Sequence, residues 1–180
     1  MNYKDKFLKI FKEKAVINGD IINVTSFLNH LVDYESLSLI VDYFSSKLQN
    51  IYFDKLITVE SSGIIFTSAL AYKLKKPFII VKKKLPVTIK EFYNVTSYSF
   101  TKQETTSLYV SKEVLKCGEK LVFVDDFYAH GNTLKALKEI CREVQAEIVT
   151  SLVVVNKSDN RDIISLISKE DLINMEGFNE

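Results

Sequence analysis

The stretch KLVFVDDFYAHGNTLKAL, Lys120 to Leu137, decides the fold. Its first five residues form a run of strand type. Two adjacent carboxylates, Asp125 and Asp126, close the run, and a short loop leads into a helical pattern reaching about Val144. Neighbouring carboxylates repel each other. Two of them at a strand end therefore need a partner, such as hydroxyl groups or a hydrated cation, that offsets the repulsion.

Working outward, KLITV (55–59), PFIIV (77–81), SLYV (107–110) and EIVTSLVVV (147–155) are further short runs rich in β-branched residues, with helical patterns between several of them. That order predicts an α/β fold with a largely parallel sheet. Near the start, Tyr3, Phe7, Leu8, Ile10 and Phe11 recur at helical spacing and predict a helix that covers the core. A second helix fits DYESLSLIVDYFSSKL, with Asp33 as its cap and Leu37, Leu39, Ile40, Val41, Tyr43, Phe44 and Leu48 as its apolar face. Residues 82–106 lack a clear apolar period. A loop of that length in a compact domain reads as a lid over an active site.

The 180 residues are 47% hydrophobic and 26% charged, which suits one domain with a substantial core. With 24 Lys+Arg against 23 Asp+Glu, the net charge of +1 gives no global field to recruit nucleic acid or a membrane. The charged start MNYKDKFLKIFKEK has no apolar signal region, and no apolar run reaches the roughly 18 residues of a membrane span. A soluble cytoplasmic protein with a small-molecule partner is expected. Cys117 and Cys141 have no metal-ligand spacing and read as reduced thiols, while His30 and His130 read as loop residues. No metal site built from the protein alone is expected.

In an open parallel sheet, ligands bind outside the carboxyl ends of the strands, where loops enter helix N-termini. One such junction holds Glu60, Ser61, Ser62 and Gly63. The other holds Asp125 and Asp126, then Ala129 to Thr133. A helix start with small and hydroxyl-bearing residues is an anion site, because its first N–H groups lack partners and the dipole is positive there. AHGNT therefore reads as a phosphate loop. Bare carboxylates beside a phosphate are repulsive, so a phosphorylated sugar, with phosphate in the loop and hydroxyls on the acids, meets both needs. Neither G-x-x-x-x-G-K-[ST] nor G-x-G-x-x-G occurs, which removes support for P-loop and dinucleotide readings. The paired acids of receiver domains close the first strand of the chain, whereas these lie past its middle.

LVFVDDFYAHGNT resembles the PRPP-binding fingerprint of type I phosphoribosyltransferases, PRPP being phosphoribosyl pyrophosphate. SFLNH (26–30), ITVESSGI (57–64), YSFTKQ (98–103), VDDF (124–127) and NKS (156–158) are similar, in order and spacing, to the bacterial xanthine branch of that family. The resemblance spans roughly residues 20 to 162. His130 stands where the family usually has Thr, Asn132 where it often has Gly, and the chain after Arg161 looks shortened. Asn tolerates a left-handed backbone better than most residues.

The resemblance implies an open, mainly parallel sheet flanked by helices, with a small N-terminal hood and a flexible active-site loop. It implies transfer of the phosphoribosyl group of PRPP to a purine ring nitrogen, with magnesium arriving on PRPP, in a homodimer. Asp125 and Asp126 would accept hydrogen bonds from the ribose hydroxyls, directly or through magnesium-bound water. Ala129, His130, Gly131, Asn132 and Thr133 would surround the 5′-phosphate. Glu60, Ser61, Ser62 and Gly63 would meet the pyrophosphate, with Lys82 and Lys83 beside it. Ile22, Asn29 and Lys157 would line the purine pocket, and Tyr98, Ser99, Thr101 and Lys102 would form the lid. A lysine at 157 suits a 6-oxo purine, which offers an acceptor where adenine offers a donor amine. Xanthine is the expected base, ahead of guanine and hypoxanthine. The alternatives are a non-catalytic PRPP or nucleotide sensor, and an enzyme for another purine, adenine included. Regulators of this fold usually add a DNA-binding domain, and the first 20 residues are too short for a winged helix.

Overall fold

The computed structural model of the chain describes residues 2–99, 104–175 and 177. Helix α1 (Tyr3–Lys14) begins at Asn2, whose side chain accepts a hydrogen bond from the Asp5 N–H, and it buries Phe7, Ile10 and Phe11. Tyr3, expected on that face, is exposed. A short hairpin follows, β1 (Val16–Asn18) paired antiparallel with β2 (Ile21–Asn23). Helix α2 (Tyr34–Lys47) starts where the sequence places it, with the Asp33 carboxylate accepting from the Ser36 N–H. Then come β3 (Lys55–Val59), α3 (Gly63–Leu74), β4 (Phe78–Val81), β5 (Phe92–Ser99), β6 (Glu104–Ser111) and β7 (Lys120–Tyr128). Helix α4 (Asn132–Val144), β8 (Glu147–Asn156), β9 (Ile163–Ile167) and α5 (Lys169–Ile173) complete the described chain.

Five strands form a sheet in the order β4-β3-β7-β8-β9, with every neighbouring pair parallel. Side chains alternate between its faces. Leu56, Val122, Val124, Leu152 and Leu166 face the layer containing Phe7, Phe11, Ile40, Phe44, Phe66 and Leu70. Ile57, Val59, Phe123, Val153 and Ile163 face α4 through Leu134, Leu137, Ile140 and Val144. Cover on both faces is why these strands read as continuous apolar runs. Each fully buried Phe or Leu contributes roughly 1.5–3 kcal/mol.

The segment 82–106, expected to be a loop, contains strand. β5 and β6 pair antiparallel from Phe92↔Ser111 to Ser99↔Glu104, and SLYV lies in this hairpin rather than in the parallel sheet. Lys82 joins it to the β4 edge, donating to the Tyr109 carbonyl at 3.0 Å and accepting from the Tyr109 N–H at 2.8 Å. Tyr93 and Val95 share a face with their partners Val110 and Leu108 and pack into the α4 side of the core. Their neighbours Asn94 and Thr96 are exposed, so polar residues masked the strand. Tyr98 and Ser99 end β5, while Thr101 and Lys102 lie outside the described residues.

Past Arg161 the chain still adds an edge strand, β9, and α5, which starts in a reciprocal capping box between Ser168 and Asp171. The Tyr43 hydroxyl donates to the Ser165 carbonyl at 3.0 Å, tying α2 to that strand. Among the described residues, no helix is long and apolar enough to cross a membrane.

Candidate active site

The chain leaves β3 toward β4 on one side, and β7 lies on the other. Strand order therefore reverses between β3 and β7, and the carboxyl ends of these strands open a crevice at that switch point. A cavity of about 280 Å³ lies on the β7 side, lined by Lys83, Asp125, Phe127, Tyr128 and residues 129–134 among others, and not by β3 or by Glu60 to Gly63.

Asp125 follows the buried part of β7 and is half-buried, and its Oδ1 accepts the Asp126 N–H at 2.9 Å. Burial, and then the neighbouring Asp126, push its carboxyl up to about 8, against the opposing pull of Lys83. The Asp126 carboxylate accepts the Phe127 N–H at 2.8 Å. Helix α3 approaches this pair because its first residue is glycine. A Cβ on Gly63 would stand 2.3 Å from Thr58 Oγ1, 2.7 Å from Asp125 Oδ1 and 3.2 Å from the Val124 carbonyl oxygen. Thr58 Oγ1, fully buried beside them, has no hydrogen-bond partner among the described residues.

Helix capping separates this edge from the rest of the fold. α1, α2 and α5 each carry a side-chain cap, from Asn2, Asp33 and Ser168. α3 and α4 start without one, at Ser62 and Gly131. The first-turn N–H groups of α4 remain available to an anion, whereas in α3 the Ile64 and Ile65 N–H groups donate to the Ser61 and Ser62 carbonyls at 3.2 and 3.3 Å. Gly131 takes the left-handed conformation, φ 72° and ψ 10°, and a Cβ there would lie 2.4 Å from the Tyr128 hydroxyl. The left-handed residue of the loop is thus Gly131, and Asn132, already in α4, has no need of that conformation.

Glu60 follows β3 through a cis peptide bond to Ser61. Its Oε1 accepts the Lys83 N–H at 2.5 Å and its Oε2 lies 3.4 Å from Lys82 Nζ. Burial raises the Glu60 carboxyl, but the Lys83 N–H and the Lys82 ammonium outweigh it and hold the group below the usual range. Lys82 is thereby engaged with Glu60, and Lys83, not Lys82, lines the cavity.

The predicted base-side residues do not line this cavity. Lys157, just past β8, donates its N–H to the Tyr128 carbonyl at 2.7 Å. Its ammonium meets Asp20 in the β1–β2 turn, two residues before the half-buried Ile22. Asn29 is exposed in the turn that precedes α2. Among the described residues, no group of three or more His, Cys, Asp or Glu side chains is arranged to hold a metal ion, and both cysteines are free thiols. Sequence reasoning missed Thr58, Tyr128 and Asp20. For Asp20 a signal existed: Asn18-Gly19-Asp20 between VI and II is a tight-hairpin signature.

A switch-point crevice, a half-buried carboxylate and two helix starts without side-chain caps are features an α/β protein can offer to a phosphorylated, hydroxyl-bearing ligand. Residues 34–170 match the family model of the phosphoribosyl transferase domain, and the chain belongs to this family of transferases. It is 35% identical over 149 residues to the xanthine phosphoribosyltransferase of Heliobacterium modesticaldum, covering 83% of this chain and 79% of that one. It is 33% identical over 171 residues to the xanthine phosphoribosyltransferase of Oenococcus oeni, covering 89% and 83%. Among solved structures, adenine phosphoribosyltransferase from Thermoanaerobacter pseudethanolicus superposes with a TM-score of 0.74 at 25% identity, over 89% of this chain and 99% of that one. The Saccharomyces cerevisiae adenine enzyme, at 19% identity and a TM-score of 0.75 over 91% and 99%, shares the fold.

Proposed function

We propose that this protein is a purine-salvage phosphoribosyltransferase that transfers the phosphoribosyl group of PRPP to a ring nitrogen of xanthine, giving XMP and pyrophosphate. The observation that carries the reading is the half-buried Asp125 carboxylate at the end of β7, beside a glycine loop that opens an uncapped helix. The curated relatives, xanthine phosphoribosyltransferases at 33% and 35% identity, support the choice of base.

In this account Asp125 and Asp126 accept hydrogen bonds from the ribose hydroxyls and hold the sugar still. Gly131 lets the backbone approach the 5′-phosphate, which the first N–H groups of α4 and the Thr133 hydroxyl receive. His130 and Ala129 border that loop. Ser61, Ser62 and Gly63 present the start of α3 to the pyrophosphate, with Lys83 alongside and Glu60 fixing Lys82 and Lys83. The base nitrogen forms its bond to C1 as the bond to pyrophosphate breaks, the bonding electrons leave with pyrophosphate, and the proton displaced from the base is released to solvent. Positive charge growing on the sugar favours the ionised form of Asp125, whose carboxyl lies near 8 in the ligand-free protein, and the ionised acids in turn stabilise that charge. A hard cation that keeps its waters fits two carboxylates and a diphosphate better than a protein cage; magnesium brought by PRPP would neutralise the leaving group. Tyr98, Ser99, Thr101 and Lys102 are assigned to closing the site against water, which would otherwise hydrolyse PRPP. Lys157, together with Ile22 and Asn29, is assigned to the base, its ammonium donating to the 6-oxo group. The working form in this reading is a single-domain chain, a cytoplasmic homodimer.

The test is initial-rate nucleotide formation from PRPP and magnesium with xanthine, guanine, hypoxanthine and adenine supplied separately. Fastest turnover with xanthine is expected. Preference for adenine would overturn the base assignment, and PRPP binding without turnover of any base would leave a PRPP sensor instead.

A further inference from the structure

The β1–β2 turn brings Asp20 against Lys157 from 137 positions away in the chain. Lys157 Nζ donates to the Asp20 carbonyl oxygen at 2.6 Å and lies 2.7 Å from Asp20 Oδ1. The lysine side chain is 16% exposed and that of Asp20 is 75% exposed, so a nearly buried ammonium is met by an acceptor from the surface. Both partners are anchored through their backbones. The Asp20 turn is closed by the Asn18↔Ile21 pair, by left-handed Gly19 at φ 59°, and by the Gly19 N–H donating to the Gly177 carbonyl at 2.8 Å. Lys157 is fixed by its N–H bond to Tyr128, immediately before the phosphate loop. The Asp20 carboxyl is held below its usual range by Lys157 and, more weakly, by His130 of that loop.

An ammonium has three donors and no acceptor. Asp20 takes two of them, its carbonyl in a direction set by the turn and its carboxylate beside it, and one remains. We propose that Asp20 is a positioning residue for base recognition: it aims the remaining Lys157 donor so that one acceptor oxygen, as on a 6-oxo purine, satisfies it and an amino group does not. The proposal rests on the reading that Lys157 donates to the base. A lysine free to rotate would offer its charge to either base edge. One held by two fixed acceptors penalises a misplaced donor group by leaving an N–H unpaired or opposed.

Steady-state constants for base and PRPP are measured in Asp20→Ala, Asp20→Asn, Lys157→Met and the Asp20→Ala/Lys157→Met double variant, with thermal unfolding of each. Asp20→Ala is expected to raise the KM for xanthine about tenfold, the scale of a hydrogen bond to a charged group. Its kcat and PRPP KM stay unchanged, and its preference for xanthine over adenine narrows. Asp20→Asn, which keeps an acceptor oxygen, recovers most of the loss. The double variant is no worse than Lys157→Met alone, because Asp20 acts only through the lysine. A lowered xanthine KM in Asp20→Ala would mean that Asp20 blocks the lysine instead of aiming it. Additive losses in the double variant, or an unchanged xanthine KM, would also overturn the proposal. If Lys157→Met itself leaves the xanthine KM unchanged, the underlying role of the lysine fails, and that result is read independently of any Asp20 variant.

Discussion

Replacing Gly63 by Ala adds one methyl group where three atoms already converge. The new Cβ would meet Thr58 Oγ1 at 2.3 Å, Asp125 Oδ1 at 2.7 Å and the Val124 carbonyl oxygen at 3.2 Å. Thr58 is fully buried and Val124 contributes backbone, so neither has room to withdraw. The Asp125 carboxylate is the member that must move. Overpacking of this kind costs about 1–3 kcal/mol, against which the better helix propensity of Ala returns at most about 1 kcal/mol. The net loss lowers the unfolding temperature by a few degrees, at about 2–4 °C per kcal/mol for a chain of this size. Activity should fall further than stability, on the order of a hundredfold, because displacement of a sugar-holding group by about 1 Å costs that much. Thr58→Ala in the same chain removes the tightest contact, so Thr58→Ala/Gly63→Ala should recover stability while remaining impaired. Paired measurements of unfolding temperature and kcat/KM for PRPP check this. Wild-type activity in Gly63→Ala would refute the reasoning that the α3 start needs glycine to reach the acids.

Asp125 supplies a pH prediction. Its carboxyl lies near 8 in the fold, well above its ordinary value of 3.8, so the protonated form stabilises the folded state and stability falls as pH rises from about 4 through about 8. Ligand-free Asp125→Asn should therefore unfold at a higher temperature than wild type at pH 8, with the difference closing toward pH 4; the opposite trend would contradict the burial argument. Gly131→Ala forces a left-handed Ala, at about 1–2 kcal/mol, and drives a Cβ toward Tyr128. Its PRPP affinity by calorimetry should drop at least severalfold, and an unchanged value would remove Gly131 from the phosphate loop. As a control distant from the site, Glu119→Gln weakens the 2.5 Å contact with Lys55 Nζ. It should cost about 1 kcal/mol of stability and leave kcat/KM unaltered.

The central strands were legible because both of their faces are covered. KLITV coincides with β3, and PFIIV, KLVFV and EIVTSLVVV fall within a residue or a few of β4, β7 and β8. Asp33 was legible as a cap because its partner, the Ser36 N–H, lies three residues away. β5 escaped because Asn94, Thr96, Ser97 and Ser99 make half of it polar, with Asn94 and Thr96 exposed, and β9 because an edge strand of five residues carries Ser165 in its centre. The candidate site divides in the same way. The acids and the loop that follows them are contiguous in sequence, and so they could be read. Placing Lys83 rather than Lys82 in the cavity depends on Glu60, and the hold on Lys157 depends on a turn near the other end of the chain. Contacts of that range follow from the fold alone.

The most direct test of the account is to incubate the protein with PRPP, magnesium and xanthine and to quantify XMP and pyrophosphate together, beside an Asp125→Asn/Asp126→Asn variant that still folds. The account predicts equal amounts of the two products from the wild type and a loss of both, on the order of a hundredfold or more, in the variant. Pyrophosphate released without XMP, or full activity in the variant, would contradict it.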